Sequence, residues 1–216
     1  MHHYTPFRTP LSTLFALFLK GFFALFPNLC RISLVVPLFV LGLILPADAQ
    51  QEPFAVGDQL PAFSMTAPES SAHRDYLGLD ADASEFTLAD VDGPTVLVQI
   101  FSMYCPICQR EASEVNELYA ALHREGLGDT IKILGLGAGN SDLEVQVFQE
   151  RYDVPFPMIS DPDYVLHKVF GSVGTPYFVL VQPSGSTEGG HVVRLSHLGA
   201  FDSVETFLDQ LRTAKQ

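Results

Sequence analysis

Residues 95–111, TVLVQIFSMYCPICQRE, join an apolar segment to a helical pattern through a pair of cysteines. Thr95 to Phe101 is apolar and rich in β-branched residues, which is typical of a strand buried on both faces of a sheet. From Cys105 to Glu125 the apolar residues recur with the spacing of a helix that buries one face. The sequence therefore predicts a buried strand, a Cys-x-x-Cys motif and a helix in direct succession.

The positions of the two cysteines give them different expected roles. Cys105 lies at the predicted start of the helix, where backbone amides and the helix dipole stabilise a thiolate and lower its pKa. Pro106 suits the first helical turn, because its missing N–H needs no partner there. Cys108 shares the apolar stripe of the helix with Ala112, Val115, Leu118, Tyr119 and Leu122. We therefore expect Cys105 to attack a substrate disulfide and buried Cys108 to resolve the mixed disulfide.

Three other uses of a Cys-x-x-Cys motif fit less well. A zinc site needs two more ligands, and the histidines after the first 49 residues show no ligand spacing: His73, His123, His167, His191 and His197. A haem attachment site needs a histidine directly after the second cysteine, where this chain has Gln109. A structural disulfide would close a very short loop, which constrains the unfolded chain little. We predict redox chemistry with no metal and no cofactor.

Glu111 is the one charged residue within the apolar arc of this helix, between Leu118 and Leu122 on the helical wheel. A partly buried carboxyl one turn after Cys108 should have a raised pKa and could relay a proton to that thiol. The alternative is a side chain that reaches solvent or that favours the helix start through the dipole. We include Glu111 among the candidate catalytic residues.

A second motif, Gly174-Thr175-Pro176, comes directly before the predicted strand Tyr177 to Gln182. Proline is unusual at the opening of a central strand, because it cannot donate a hydrogen bond to the neighbouring strand. Cis peptide bonds are nearly confined to proline, and a cis bond here would turn the chain tightly into the strand.

The first 49 residues differ in composition from the rest of the chain. Leu34 to Leu45 is uncharged and mostly apolar; it is short for a membrane span but matches the hydrophobic region of a secretory signal. Ala47-Asp48-Ala49 follows as a cleavage pattern, and an earlier apolar run makes this leader unusually long. We expect residues 1–49 to be a cleaved signal peptide or an anchor retained through residues 11–45, with the protein in the periplasm or elsewhere outside the cytoplasm.

Composition narrows the possible functions further. The chain has 12 Lys and Arg against 25 Asp and Glu, a net charge of −13, and no basic cluster that could neutralise nucleic-acid phosphates. Of its three cysteines, Cys30 lies in the leader. The remaining close pair suits an oxidising compartment.

The rest of the chain alternates between strand and helix patterns. Residues 50–84 are polar and irregular, which predicts an extended lead-in with one short hairpin at most, and residues 85–214 form the domain. The predicted strands are 86–88, 95–101, 131–136, 177–182 and 191–197, the last antiparallel after a turn at Pro183-Ser184-Gly185, and residues 155–159 are predicted to be short and extended. The predicted helices are 105–125, 142–152 capped by Ser141 or Asp142, 163–170 capped near Asp161, and one from Asp202 or Ser203 to 214. This order predicts an α/β fold, a central sheet covered by helices on both faces.

From residue 54 to residue 214 the chain resembles the thioredoxin-like superfamily. Within it the chain is similar to the exported TlpA/ResA-type thiol–disulfide oxidoreductases and the related AhpC/TSA redoxins. The resemblance rests on TVLVQIFSMYCPICQRE, on SDPDYVLHKVFGSVGTP and on the strand after it. It implies that Pro176 is cis and faces the disulfide, and that the backbone of Thr175 pairs with an extended substrate peptide. ResA-like members carry a glutamate at the position of Glu111, whereas Tyr104 stands where these families usually have tryptophan.

These observations predict an exported enzyme that exchanges disulfides with protein thiols and disulfides through Cys105 and Cys108. Thr175, Tyr104 and Pro106 are the expected substrate-binding residues, and a membrane thiol carrier is the expected reductant if the protein works as a reductase. One alternative is a peroxiredoxin with Cys105 as the peroxidatic cysteine: Ser102 fits the T/S-x-x-C motif, but Val98 replaces its proline. Another is a redox-inert binding module, which the retained cysteines argue against.

Overall fold

The computed structural model describes residues 52–183 and 190–215. The strands are β1 (Gln59–Leu60), β2 (Met65–Thr66), β3 (Glu85–Phe86), β4 (Thr95–Phe101), β5 (Ile131–Ala138), β6 (Met158–Asp161), β7 (Tyr177–Pro183) and β8 (His191–Leu198). The helices are α1 (Ser71–Leu77), α2 (Pro106–Arg124), α3 (Asp142–Arg151), α4 (Val165–Val169) and α5 (Val204–Ala214), and Leu88–Asp90 is a short 3-10 turn.

Six strands form one mixed sheet in the order β1-β8-β7-β4-β5-β6. Strands β4, β5 and β6 are parallel, whereas β7 runs antiparallel to both β4 and β8. Helices cover both faces of this sheet, which confirms the predicted thioredoxin-like α/β fold. Strand β4 lies in the interior of the sheet, so the segment that follows it leaves from the middle of the fold.

The core has two parts, one on each face of the sheet. All seven residues of β4 are buried, and because side chains alternate along a strand they supply both parts. Leu97 and Phe101 join a cluster with α2, α3 and α5, in which the rings of Phe101 and Phe148 lie 4.7 Å apart. Val96 and Val98 join the other cluster, with α1, α4 and the N-terminal segment. Burial on both faces explains the unbroken apolar run of β4.

The segment before residue 85 is more ordered than the predicted extended lead-in. Residues 71–77 form helix α1, which is capped by the Ser70 side chain and ends at Gly78 with a left-handed φ of 73°. Strand β1 extends the main sheet by pairing with β8. Strand β2 pairs with β3 across the intervening helix and not in a local hairpin, and the predicted strand 86–88 is reduced to the end of β3.

The helix caps agree more closely with the sequence. Ser141 caps α3 and Ser203 caps α5, as predicted. Helix α4 begins later than predicted, at Val165, but the Asp161 side chain does cap it by accepting the N–H groups of Leu166 and His167 at 3.1 and 2.7 Å. Residues 155–159, predicted to be short and extended, overlap the first two residues of β6.

Two of the sequence predictions fall outside the described residues. They are the leader, residues 1–49, and most of the turn after β7. Within residues 52–183 and 190–215, no helix has the length and apolar character needed to cross a membrane.

Candidate active site

Cys105 and Cys108 lie where the chain passes from β4 into α2. Cys105 is the N-cap of α2, and its sulfur accepts the Cys108 backbone N–H at 3.3 Å. Both thiols are free, so the structure is that of the reduced dithiol. Cys105 is partly exposed, whereas Cys108 is fully buried on the face of α2 that packs on the sheet. The predicted difference in exposure is therefore present in the fold.

The surroundings of the two sulfurs shift their pKa values in opposite directions. Burial raises the pKa of Cys105, but hydrogen bonds from the Thr175 and Cys108 side chains and from the Cys108 and Ile107 amides outweigh it, so the net pKa lies below 9.0. Burial, followed by the hydrogen bond with Cys105, raises the pKa of Cys108 to about 12. At neutral pH the nucleophilic thiolate is thus favoured at Cys105 and disfavoured at Cys108.

The loop before β7 lies against Cys105. The Thr175–Pro176 peptide bond is cis, as the family resemblance implies. The Cys105 thiol donates a hydrogen bond to the Thr175 carbonyl oxygen at 3.2 Å. Pro176 is buried, and its carbonyl accepts the Gly199 N–H at 2.8 Å, whereas Thr175 is partly exposed. The antiparallel pairing of β4 with β7 brings together these residues, which are 70 positions apart in the chain.

Glu111 is buried, with 7% of its surface exposed. Its carboxylate accepts the backbone N–H of Phe201, before α5, at 3.0 Å. Burial raises the pKa of Glu111, and the hydrogen bond from Phe201 only partly opposes that effect. Among the described residues the carboxylate forms no hydrogen bond with Cys108, so a proton passing between them would need a bridging water.

Tyr104 and Pro106 flank Cys105 on the surface. Pro106 is exposed at the first position of α2, and Tyr104 is 66% exposed. The Tyr104 hydroxyl donates a hydrogen bond to the carboxylate of Glu144 in α3. That bond raises the pKa of Tyr104 and lowers the pKa of Glu144. The residue next to Cys105 in the chain therefore carries an exposed aromatic side chain whose hydroxyl is held by Glu144.

Two further side chains hold the segment before Cys105, and neither was predicted from the sequence. Asn140 is fully buried, and its side-chain oxygen accepts the Met103 N–H at 2.8 Å. The Gln109 side chain donates to the Met103 carbonyl at 2.7 Å. The one available sequence clue was an asparagine between a buried strand and the N-cap of the next helix, a pattern too common to identify a site.

Comparisons with known proteins agree with this geometry. The sequence profile of the AhpC/TSA family matches residues 56–188. Thiol-disulfide oxidoreductase ResA from Geobacillus thermodenitrificans is 27% identical over 157 residues, which are 73% of this chain and 82% of that protein. ResA from Halalkalibacterium halodurans is 26% identical over 135 residues, 62% of this chain and 71% of the relative.

Solved structures share the fold at lower sequence identity. A thiol:disulfide interchange protein of the thioredoxin family from Chlorobium tepidum superimposes with a TM-score of 0.51 at 18% identity, covering 79% of this chain and 100% of its own. The thioredoxin domain of a thiol-disulfide oxidoreductase from Bacteroides vulgatus gives 0.51 at 19% identity, covering 76% and 99%. The match to the family profile extends over more than half of the sequence, and the chain therefore belongs to the AhpC/TSA family, while the relatives it resembles are thiol–disulfide oxidoreductases named ResA.

Proposed function

We propose that the protein exchanges disulfides with protein partners outside the cytoplasm through Cys105 and Cys108. The observation that carries this proposal is the asymmetry of the two sulfurs. Cys105 is partly exposed at a helix N-terminus and its pKa is lowered, whereas Cys108 is buried and its pKa is raised to about 12. A dithiol of this kind attacks with one sulfur and resolves with the other.

The exchange has two steps. The Cys105 thiolate forms a bond with one sulfur of the partner disulfide, and the other partner sulfur leaves as a thiolate and takes a proton. The Cys108 thiol then loses its proton, attacks Cys105, and releases the second partner thiolate. The partner gains two electrons and two protons, and the protein ends as the Cys105–Cys108 disulfide.

The loop opposite Cys105 is the proposed binding site for the partner's backbone. Thr175 is partly exposed, and its carbonyl oxygen lies 3.2 Å from the Cys105 sulfur. An extended peptide that pairs with the Thr175 backbone would bring its own cysteine to that sulfur. Tyr104 and Pro106, both exposed beside Cys105, would contact the partner residues on either side.

Disulfide exchange is favoured over peroxide reduction. The ResA relatives carry the name thiol-disulfide oxidoreductase. A second cysteine three residues after the first can resolve the mixed disulfide by attack within the same molecule. Cys108 is that second cysteine, and it donates its backbone N–H to Cys105 in the reduced state.

The reduced protein should reduce insulin disulfides and lose two thiols per molecule in doing so. The lowered pKa of Cys105 supplies thiolate at neutral pH, so we expect this exchange to be at least about a hundredfold faster than oxidation by hydrogen peroxide at equal concentration. Precipitation of the insulin B chain and thiol counts give the first rate, and peroxide consumption gives the second. Rapid peroxide consumption without insulin reduction would assign the site to a thiol peroxidase instead.

The proposed location outside the cytoplasm depends on the leader. An apolar segment followed by Ala47-Asp48-Ala49 predicts cleavage after Ala49 and a mature protein that starts at Gln50. Mass spectrometry of the protein from its native cell envelope measures this directly. A full-length mass in the membrane fraction would show that the leader is retained as an anchor. For a reductase in that compartment, a membrane thiol carrier is the proposed source of electrons.

A further inference from the structure

Three hydrogen bonds hold Tyr104 and the residue before it at the active site. Its backbone neighbour Met103 is bound through its N–H by Asn140 and through its carbonyl by Gln109, at 2.8 and 2.7 Å. Its own hydroxyl donates to Glu144. The ring is nevertheless 66% exposed. An exposed tyrosine is ordinarily free to change rotamer, so this one is unusual in being fixed at both ends.

Glu144 is itself a firm attachment point. It is the third residue of α3 and forms a capping box with Ser141, accepting the Ser141 N–H and hydroxyl at 2.8 and 2.9 Å. The connection before it begins at Gly139, where φ is +66°, a backbone conformation that favours glycine.

We propose that Glu144 is a positioning residue for disulfide exchange: it holds the Tyr104 ring beside Cys105 as a preformed contact for the residue next to the partner's cysteine. This inference rests on the proposed function, because it assigns the orientation of partners at the same sulfur. Preforming the ring matters because ordering a free side chain during binding costs affinity. Because the bond between Tyr104 and Glu144 already orders the ring in the folded protein, binding does not have to order it.

The geometry also indicates the chemistry of the preferred partner. The exposed residues close to Cys105 in the chain are Tyr104, Pro106 and Ile107, which is 40% exposed. An aromatic ring and an aliphatic side chain favour an apolar neighbour. Glu144 holds a carboxylate at the far end of the ring, which disfavours an acidic residue there. A partner with leucine beside its cysteine should therefore react faster than one with glycine or glutamate.

A pair of synthetic peptides can test this orientation. Each contains a single cysteine joined in a disulfide to nitrothiobenzoate, with leucine or glycine directly before the cysteine. The Cys105 thiolate bonds to the peptide sulfur and expels nitrothiobenzoate, whose absorbance reports the step; Cys108 then loses its proton and displaces the peptide thiolate. Dithiobis(nitrobenzoate) is the small disulfide for comparison. The full-length chain is used with Cys30→Ser, so that only the two active-site thiols react.

The parent should prefer the leucine peptide over the glycine peptide, and three variants should alter that preference. In Glu144→Ala and in Tyr104→Phe we expect the leucine-to-glycine rate ratio to fall about threefold to tenfold, since the ring loses its fixed position. The rate ratio of the double variant should be no lower than that of either single variant, because each single substitution already removes the bond between Tyr104 and Glu144. In Glu144→Gln the ratio should fall less than in Glu144→Ala, because the single amide oxygen can accept the Tyr104 hydroxyl, although the Ser141 N–H then loses its acceptor.

Ser141→Ala is the matched control. It removes the Ser141 hydroxyl from the capping box but leaves the Ser141 N–H and the Tyr104 hydroxyl as donors to Glu144, so the peptide ratio should fall much less than in Glu144→Ala. The inference is overturned if Glu144→Ala and Tyr104→Phe keep the parent ratio, or if Ser141→Ala lowers it equally, which would make the effect one of helix capping. It is also overturned if the small disulfide slows in parallel with both peptides. If the parent reacts with none of the three disulfides, the proposed function itself fails.

Discussion

The Cys108→Ser variant is expected to accumulate mixed disulfides with partner proteins, whereas Cys105→Ser should trap almost none. Cys105 is partly exposed and its pKa is lowered, so it can attack without Cys108. Cys108 is fully buried and its pKa is raised to about 12, so it cannot replace Cys105 as the nucleophile. Both variants would be purified from a cell-envelope extract after acid quenching, and their adducts compared on non-reducing gels.

The difference between the two variants in the amount of trapped mixed disulfide should be close to all-or-none. Without Cys108 the intramolecular exit from the mixed disulfide is lost, and escape depends on external thiols. A Cys30→Ser background removes the thiol of the leader from the comparison. If Cys108→Ser instead formed a sulfenic acid with hydrogen peroxide, detected with dimedone, and trapped no partner, the site would be peroxidatic. Equal trapping by both single variants would contradict the assigned order of attack.

The parts of this fold that sequence predicts best are those in which local pattern and tertiary burial coincide. Strand β4 is apolar throughout because both of its faces are buried, and α2 shows its buried face through its spacing. Strand β1 is different: it has two residues and exists through its pairing with β8, more than 130 positions later. Helix α1 has only seven residues, too few to establish a helical period.

The active site divides in the same way. The cysteines and Glu111 were recognisable because they lie on one helix, where spacing fixes relative position. The contact of Tyr104 with Glu144 joins residues 40 positions apart, and that of Asn140 with Met103 joins residues 37 apart. Both contacts depend on the parallel pairing of β4 with β5, which brings the carboxyl ends of the two strands to the same edge of the sheet. No periodicity within one segment carries that information.

Replacing Glu111 with glutamine should slow the resolution step by roughly tenfold at neutral pH and change its pH profile. The reason is that Cys108, with its pKa raised to about 12, needs a base to become a nucleophile. Glu111 is the buried carboxyl one turn further along α2, and a bridging water would connect the two groups. Stopped-flow kinetics from about pH 5 to about pH 9 would measure resolution, separately from attack by Cys105.

The substitution is conservative in shape, because the amide oxygen of glutamine can still accept the Phe201 N–H. Glu111→Ala is the structural comparison: it leaves that N–H without its partner and should cost about 1–3 kcal/mol of unfolding free energy.

Stability measurements at several pH values give an independent check on the Glu111 carboxyl. Burial raises its pKa in the folded state, so the folded protein binds this proton more tightly than the unfolded chain does. The carboxyl's favourable contribution to the free energy of unfolding is therefore complete below its ordinary pKa. It is lost as pH rises through the pKa that the carboxyl has in the folded protein. Relative to the parent, Glu111→Gln should gain stability from about pH 4 towards neutrality. If resolution rates of Glu111→Gln match the parent across the whole range, Glu111 serves only to hold the segment before α5.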